Sequence, residues 1–535
     1  MLDILLSCIR AWFSTITLSI IVFYVTWHYW NKRTPGSPPG PRGFPFIGAI
    51  TSIRKHPEHV MTKWNKEYGP VCMVRLGFKD VLVIGSYEAA HEAYVKSQDF
   101  LDRPSPFGLE ILGGGYGLFP IAYGSFHQEQ RRFGLNTLRE HGMGRRVLES
   151  TILQYAEELC DRLETKMSAP VLLDQEVYIA VSSTIAHIVF GHNTMQDSPE
   201  FRDMILWMLR PNTATVLAGI LVFAPYLKHL PFFRGVHNDS RALRLKLESL
   251  NLKEVKKHDK TRDPSDPRDF IDSFLNEMDK RKRKNSKQAT ETPSENHPLQ
   301  NGNGVSKDND DKDFKGKIDP NWETYSSFSD QQLVSMVRDL FLAGTDTTSA
   351  TTCWIILFLC KYPDVQRRMQ KEIDDVIGEN GIPKLALAER LPFTRAVIQE
   401  MGRIRPNVPL AVPHCASRDS TLMGFNIPKD TIIMTNIWGI HHDEKTWKDP
   451  YKFNPDRHLD AEGNFVKSNH VMQFNIGLRS CLGQQLARME LFLITVTLFR
   501  KFFIELEPGC DIDMEGESLV SLRPYPFKVL LTKRI

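Results

Sequence analysis

A mainly α-helical chain with a small β region, preceded by a single N-terminal transmembrane helix, is the architecture this sequence predicts. Three observations lead to it. Ala11–Trp30, AWFSTITLSIIVFYVTWHYW, holds no Lys, Arg, Asp or Glu. VCMVRLGFKDVLVIGS reads as a hairpin of two β-rich runs around Gly77–Asp80. Most of the chain after it follows helical periodicity. With 535 residues, 41% of them hydrophobic, the composition supports a large core. The net charge of +3 shows none of the global basic bias of nucleic-acid binders, so no nucleic-acid partner is expected. The eight cysteines include no C-x-x-C pair, which argues against a disulfide framework or a zinc site.

As a helix, Ala11–Trp30 spans roughly 30 Å, the hydrocarbon thickness of a bilayer. Trp12, Tyr24, Trp27, Tyr29 and Trp30 suit an interfacial belt. The apolar run is long for a signal peptide and no small-x-small cleavage site follows, so residues 1–33 are expected to remain as an anchor. Arg10 precedes the run and Lys32 and Arg33 follow it, so charge does not orient it. Residues 34–48, TPGSPPGPRGFPFIG, form a stiff proline-rich hinge before the body, residues 49–535; the length suits two or three average domains or one unusually large one. Within that body, Lys280–Lys317 is polar and charged and reads as a disordered insertion, its basic start as a solvated helix end. Val216–Leu227 is apolar but too short to span a bilayer.

Ser329 opens a helix, with Gln332 completing a capping-box pattern, and the apolar pattern runs to about Lys361 before Pro363. Its centre, LAGTDTTSATT, is a poor choice for helix stability: Gly344 costs about 1 kcal/mol relative to Ala, and threonine is a mediocre helix former. Ala343 and Gly344 leave room for a flat group against the backbone. Thr347 lies four residues after Ala343, so its hydroxyl competes for the Ala343 carbonyl and distorts the helix. Asp346 adds an acid to a mostly apolar stretch. Close packing on a neighbouring helix explains the same composition, and the pattern alone leaves both readings open.

Cys481 stands in FNIGLRSCLG, immediately before a helical pattern. A helix N-terminus there favours a thiolate. Gly477 and Gly483 permit a tight loop and the close approach of a bulky ligand. One thiolate with no His or second Cys nearby suits an axial haem ligand better than zinc, and Arg479 suits an anionic group on that ligand. A nucleophilic cysteine is the rival reading, and it lacks a base close in sequence. Glu400 and Arg403 lie three residues apart on one helical pattern, where they can pair, and FNPDR adds Arg457.

From Pro35 to the C-terminus the chain resembles the cytochrome P450 family of haem-thiolate monooxygenases. Phe474, Gly477, Arg479, Cys481 and Gly483 match its pattern F-x-x-G-x-R-x-C-x-G; AGTDTT matches its oxygen-groove motif; Glu400, Arg403 and Arg457 match its structural triad. YGSFHQEQRRFGLNTLREHGMG and VPHCASRDSTLMGFNIPKDT are similar to stretches of the animal microsomal enzymes that hydroxylate drugs, fatty acids and steroids. The resemblance implies the family's triangular helical fold and haem b with Cys481 as axial ligand to the iron. It implies that Arg131, His414 and Arg479 hold the propionates, with Ala343 and Gly344 making room. His127 stands where the family usually has Trp. The implied reaction inserts one atom of O2 into a hydrophobic fatty acid, steroid or xenobiotic. Thr347 and Asp346 manage protons, and NADPH–cytochrome P450 reductase, with cytochrome b5 a further partner, supplies electrons. The implied location is the endoplasmic-reticulum membrane, in contact with lipid, the catalytic body facing the cytosol. Rearrangement of lipid peroxides and non-enzymatic ligand binding are the competing haem functions; Asp346 and Thr347 argue against the first.

Overall fold

The computed structural model describes the chain apart from residues 1, 31, 33, 42, 46, 54, 105–114, 144–145, 193–198, 201, 203–220, 222–224, 292–326, 379–380, 519–520 and 535. Much of Val216–Leu227 therefore lies outside the described residues.

Helix α1, Leu2–Trp30, presents Trp12, Phe13, Leu18 and Ile20 outward. Its hydroxyls are satisfied within the helix: Thr17 Oγ1 donates to Phe13 O and Ser19 Oγ to Thr15 O, both at 2.8 Å. Among the described residues no helix is long and apolar enough to cross a membrane. The spanning anchor remains an expectation. The hinge is strapped to the body. Met73 N donates to Pro39 O, Asn426 N to Gly36 O, and Asn426 Nδ2 to Pro35 O. Trp27 of α1 meets Phe44 of the hinge edge-on at 6.3 Å.

Strands β1, Val71–Leu76, and β2, Lys79–Ile84, form the expected hairpin. Leu76 pairs with Lys79, so the loop is the two residues Gly77 and Phe78, with Gly77 at φ +58°. A Gly in the left-handed region at the first loop position suits a tight hairpin. Strands β3, His414–Cys415, and β4, Ile432–Thr435, complete the sheet in the order β1-β2-β4-β3. β2 and β4 run parallel, and the edge strand carries His414.

The helical body holds α2, Ser125–Glu140; α3, Leu173–Phe190; α4, Phe270–Glu291; α5, Asp330–Lys361; α6, Pro392–Ile404; and α7, Gln484–Lys501. α5 runs through the core and packs on α3 and α7. Ser329 caps it as expected, accepting from Gln332 N at 3.2 Å. The Gln332 side chain does not complete the box; it accepts from Gly117 N and donates to Gly117 O, each at 2.9 Å. A buried amide there satisfies both backbone groups of a passing loop, which a reciprocal cap would leave unpaired. α4 extends to Glu291, so the first part of the expected disordered insertion is helical, and residues 292–326 are not described. Arg281 secures that end on Glu277 and Glu129 and lies over Phe328 at 4.1 Å.

Glu400 and Arg403 of α6 are fully buried. Arg403 donates twice to Glu400, at 2.8 Å each; Arg457 Nε donates at 2.9 Å, His458 Nε2 at 2.9 Å and Asn454 N at 3.0 Å. Burial alone would raise the Glu400 carboxyl, but Arg403 and His458 outweigh it and hold it down at about 2. The ordinary value is 4.5, so this stabilisation is complete above that pH and is lost as pH falls toward 2. We expect Glu400→Gln to destabilise the fold by about 3–5 kcal/mol at pH 7, because it strands Arg403 in the core. Denaturant unfolding of the two proteins checks this, and the gap should narrow below pH 4.

Candidate haem-thiolate site

The cysteine loop is built from α6 downward. Arg403 Nη1 donates to His441 O, and His441 Nδ1 donates back to Arg403 O. His441 Nε2 then accepts from Met472 N at 2.8 Å, and Asn475 N donates to Met472 O. Cys481 N closes the loop on Phe474 O at 2.9 Å. Gly477 sits at φ +78°, and a Cβ there would lie 2.1 Å from Tyr94 O, so no other residue fits. At Gly483 an added Cβ would meet nothing within 4 Å, which leaves open space beside the thiol. Arg488 lies over the Phe474 ring at 5.0 Å.

Cys481 is exposed by surface area yet densely surrounded by protein, as befits a group on the wall of an internal cleft. Burial pushes its thiol above the usual value, and the Gly483 N–H and Arg131 only partly oppose this. The lowered pKa expected from a helix N-terminus is therefore not what this surrounding produces. A thiolate here needs a further positive charge, and a metal ion supplies one.

The same cleft gathers cations from distant parts of the chain. Arg131 of α2 donates to Ser480 O at 2.7 Å. Arg479 is buried and donates to Ile121 O, while its Nε has no partner. Burial lowers its pKa to about 10, and Arg131 adds to the effect. His414 Nδ1 donates to Phe100 O at 2.9 Å, leaving Nε2 without a partner. His127 is 2% exposed and its Nδ1 has no partner. Burial, then Arg479, Arg131 and Arg103, lower the His127 imidazole to about 3. Arg103 is the member that sequence reading missed. It donates to Phe119 O, Val412 O and Pro413 O, and burial together with Arg479 depresses it strongly. The carboxylate offsetting Arg103 and Arg479 is Asp102.

On α5, Thr347 Oγ1 donates to Ala343 O at 2.7 Å, the competition its spacing predicts. The Thr347 carbonyl accepts from Thr351 Oγ1 at 2.8 Å and from Asn407 Nδ2 at 3.3 Å, which ties this turn of α5 to a neighbouring loop. Asp346 accepts from Tyr178 of α3 at 2.6 Å, a partner the sequence did not indicate. Ala343 is exposed, as expected of a residue that clears space. Gly344 faces the other way: a Cβ there would lie 2.7 Å from Ile185 Cδ1 of α3. Its small size serves helix packing rather than the approach of a flat ligand.

Compared with known proteins, the sequence profile described as Cytochrome P450 matches residues 38–301 and 309–531. The chain belongs to the cytochrome P450 family. Cytochrome P450 2D15 of Canis lupus familiaris is 34% identical over 514 residues, 94% of each chain. Vitamin D(3) 25-hydroxylase of Sus scrofa is 32% identical over 534 residues, 97% of this chain and 98% of its own. Cytochrome P450 2U1 of Bos taurus is 29% identical over 548 residues, 97% of this chain and 93% of its own. A cytochrome P450 binds haem through a cysteine thiolate, and as a member of this family the protein is a monooxygenase.

The residues present fit that group. Three buried nitrogens without partners, on His127, Arg479 and His414, lie in one cationic region that two carboxylates would neutralise and hydrogen-bond. The open space at Gly483 lies beside the thiol.

His127 makes one property of this cytochrome P450 measurable without cofactor. Below pH 6.5 the unfolded chain protonates this residue, while the folded chain keeps it neutral down to about 3. The folded state then binds fewer protons, so stability falls with pH by up to about 1.4 kcal/mol per unit. Between pH 7 and 5 the haem-free protein should lose about 2 kcal/mol more than His127→Trp, other histidines cancelling in the comparison. Denaturant titrations at the two pH values check this.

Proposed function

We propose that this cytochrome P450 inserts one atom of O2 into a hydrophobic fatty acid, steroid or xenobiotic, with electrons from NADPH arriving through a separate microsomal reductase. The observation that carries the reading is the Cys481 loop set beside buried cations, with Arg131 acting on the thiol and Arg479, Arg131 and Arg103 acting on His127; Thr347 and Asp346 of α5 add the proton-handling groups. When bound, haem supplies the activation of O2, and an axial thiolate favours O–O cleavage.

In this reading Cys481 would ligate the iron, and Arg479, Arg131, His414, His127 and Arg103 would hold the propionates. His414 Nδ1 already donates to Phe100 O, so its free Nε2 serves a carboxylate by taking up a proton. Thr347 spends its hydroxyl proton on Ala343 O, which leaves its Oγ1 lone pairs to accept from water. Asp346, one residue earlier, holds and passes the proton. Phe474 and Gly483 shape the thiolate's surroundings, while Glu400, Arg403 and Arg457 maintain the loop without touching substrate.

The relatives include one named as a vitamin D(3) 25-hydroxylase, which supports an apolar, lipid-sized substrate. Leu118 and Phe119 add an apolar wall: their amides are fixed by Asp339 at 2.8 Å and 3.1 Å, and Phe119 O by Arg103. The membrane reading rests on the exposed apolar α1 and the strapped hinge. It makes α1 an endoplasmic-reticulum anchor, leaving the body cytosolic, in contact with lipid and within reach of the reductase and cytochrome b5.

The test uses the full-length protein with microsomal reductase, NADPH and O2, offered a panel of fatty acids, steroids and xenobiotics. NADPH-dependent products one oxygen heavier are expected; turnover of a lipid peroxide without NADPH would overturn the reading. Cys481→Ala should abolish the thiolate-type CO spectrum, and its survival would refute the ligand assignment. Thr347→Ala should keep that spectrum and raise peroxide release per NADPH several-fold; unchanged coupling would remove Thr347 from proton delivery.

A further inference from the structure

Asp346 poses a physical question that the proton-relay reading leaves open. It is half-buried on α5. Its partner is a phenol: Tyr178 Oη donates to Asp346 Oδ1 at 2.6 Å. A guanidinium or ammonium in that place would pin the carboxylate in its charged form, whereas a phenol O–H stabilises it and can also hand over its proton. Tyr178 is 4% exposed, and the charged or titratable groups acting on it are Asp346, Cys353 and Arg523. Burial and then Asp346 raise its pKa well above the ordinary value, so the phenol stays protonated.

The far side of Tyr178 opens on a cleft. Its walls include Asp174, Tyr178, Ala350, Glu517 and Arg523, its free volume is about 20 Å³, and exposed Pro526 stands at its rim. That volume admits about one water, and the walls offer it polar partners. Asp174 precedes Tyr178 by one helical turn on α3, and Ala350 follows Asp346 by one turn on α5. The cleft therefore reaches Tyr178 directly and lies one turn of α5 away from Asp346. Burial also raises the Asp174 carboxyl, which holds its proton to higher pH than an exposed carboxyl does.

We infer that Tyr178 is a positioning and relay residue, passing protons from this surface cleft to the Asp346 carboxylate. The inference rests on the reading of Asp346 as the proton donor to Thr347. In the step, Tyr178 gives its hydroxyl proton to Asp346 Oδ1 and takes one from Asp174 by way of water in the cleft, and Asp174 recovers its proton from solvent. The O–H bond broken on one side is re-formed from the other, one proton moves inward, and no electron moves.

Tyr178→Phe keeps the ring and removes only the hydroxyl. In the holoenzyme with microsomal reductase, NADPH, O2 and dodecanoate as the apolar probe, the variant should retain its thiolate CO spectrum. Peroxide released per NADPH should at least double, and the solvent deuterium isotope effect on NADPH oxidation should change. Asp346→Asn should move both readouts the same way, and the double variant should add nothing. In the haem-free protein, the Asp346 carboxylate infrared band, taken as wild type minus Asp346→Asn, should shift in Tyr178→Phe. If Asp346→Asn moves both kinetic readouts and Tyr178→Phe moves neither, Tyr178 only packs, and the inference is wrong. If Asp346→Asn moves neither, the reading beneath it fails first and takes the inference with it. Should Tyr178→Phe fail to fold, Asp174→Asn tests the cleft end of the path. Unchanged peroxide yield and isotope effect there would equally overturn it.

Discussion

The buried Glu400 carboxylate is the interaction on which the rest of this structure depends. A carboxylate removed from water is tolerated only when its lone pairs are filled, and Glu400 receives donors from Arg403, Arg457, His458 and Asn454. Those donors come from α6 and from a loop some fifty residues later. One charged group thus fastens two distant chain segments. Arg403 passes the constraint on through His441 to Met472, and from there to the loop that presents Cys481. The thiol is positioned by hydrogen bonds that begin far from the reaction.

Folding also produces an arrangement that the protein alone leaves unbalanced. Arg103, Arg131 and Arg479 lie close enough to depress the neighbouring His127, and Asp102 offsets only part of their charge. Like charges in an enclosed cleft oppose folding unless an anion joins them. A dianionic cofactor removes that opposition, so its binding free energy is also folding free energy. The cysteine tells the same story from the other side, since burial keeps its proton on in the protein alone. Both observations make haem a structural member of this fold as well as its reagent.

Helix α5 resolves a conflict between packing and chemistry. Its threonines and glycine weaken the helix, yet each has a tertiary use. Gly344 lets α3 approach, and that approach brings Tyr178 to Asp346. Thr347 diverts the Ala343 carbonyl, while Thr351 and Asn407 hold the carbonyl of Thr347 itself. A residue that sequence reading assigns to the ligand side therefore works on the opposite face, and the active turn is braced from behind.

Taken alone, the sequence determined the features that repeat with local chemistry: the hairpin about Gly77, the long helix from Ser329 to Lys361, the Thr347–Ala343 bond, and the Glu400–Arg403 pair three residues apart. Each depends on spacing along one strand or one helix, which the order of residues states directly. It also identified Cys481, because a positive-φ glycine and a helix start frame it within a few positions. Tertiary structure alone decided what faces what. Gly344 could not be assigned to a helix face without knowing where α3 lies. Arg103, His458 and Tyr178 join their sites through contacts across 376, 58 and 168 positions with Arg479, Glu400 and Asp346. The sign of the Cys481 shift likewise depends on burial, which no local pattern carries. Sequence specifies bonding capacity and local period; only the packed chain fixes which distant group meets that capacity and how much water remains to compete.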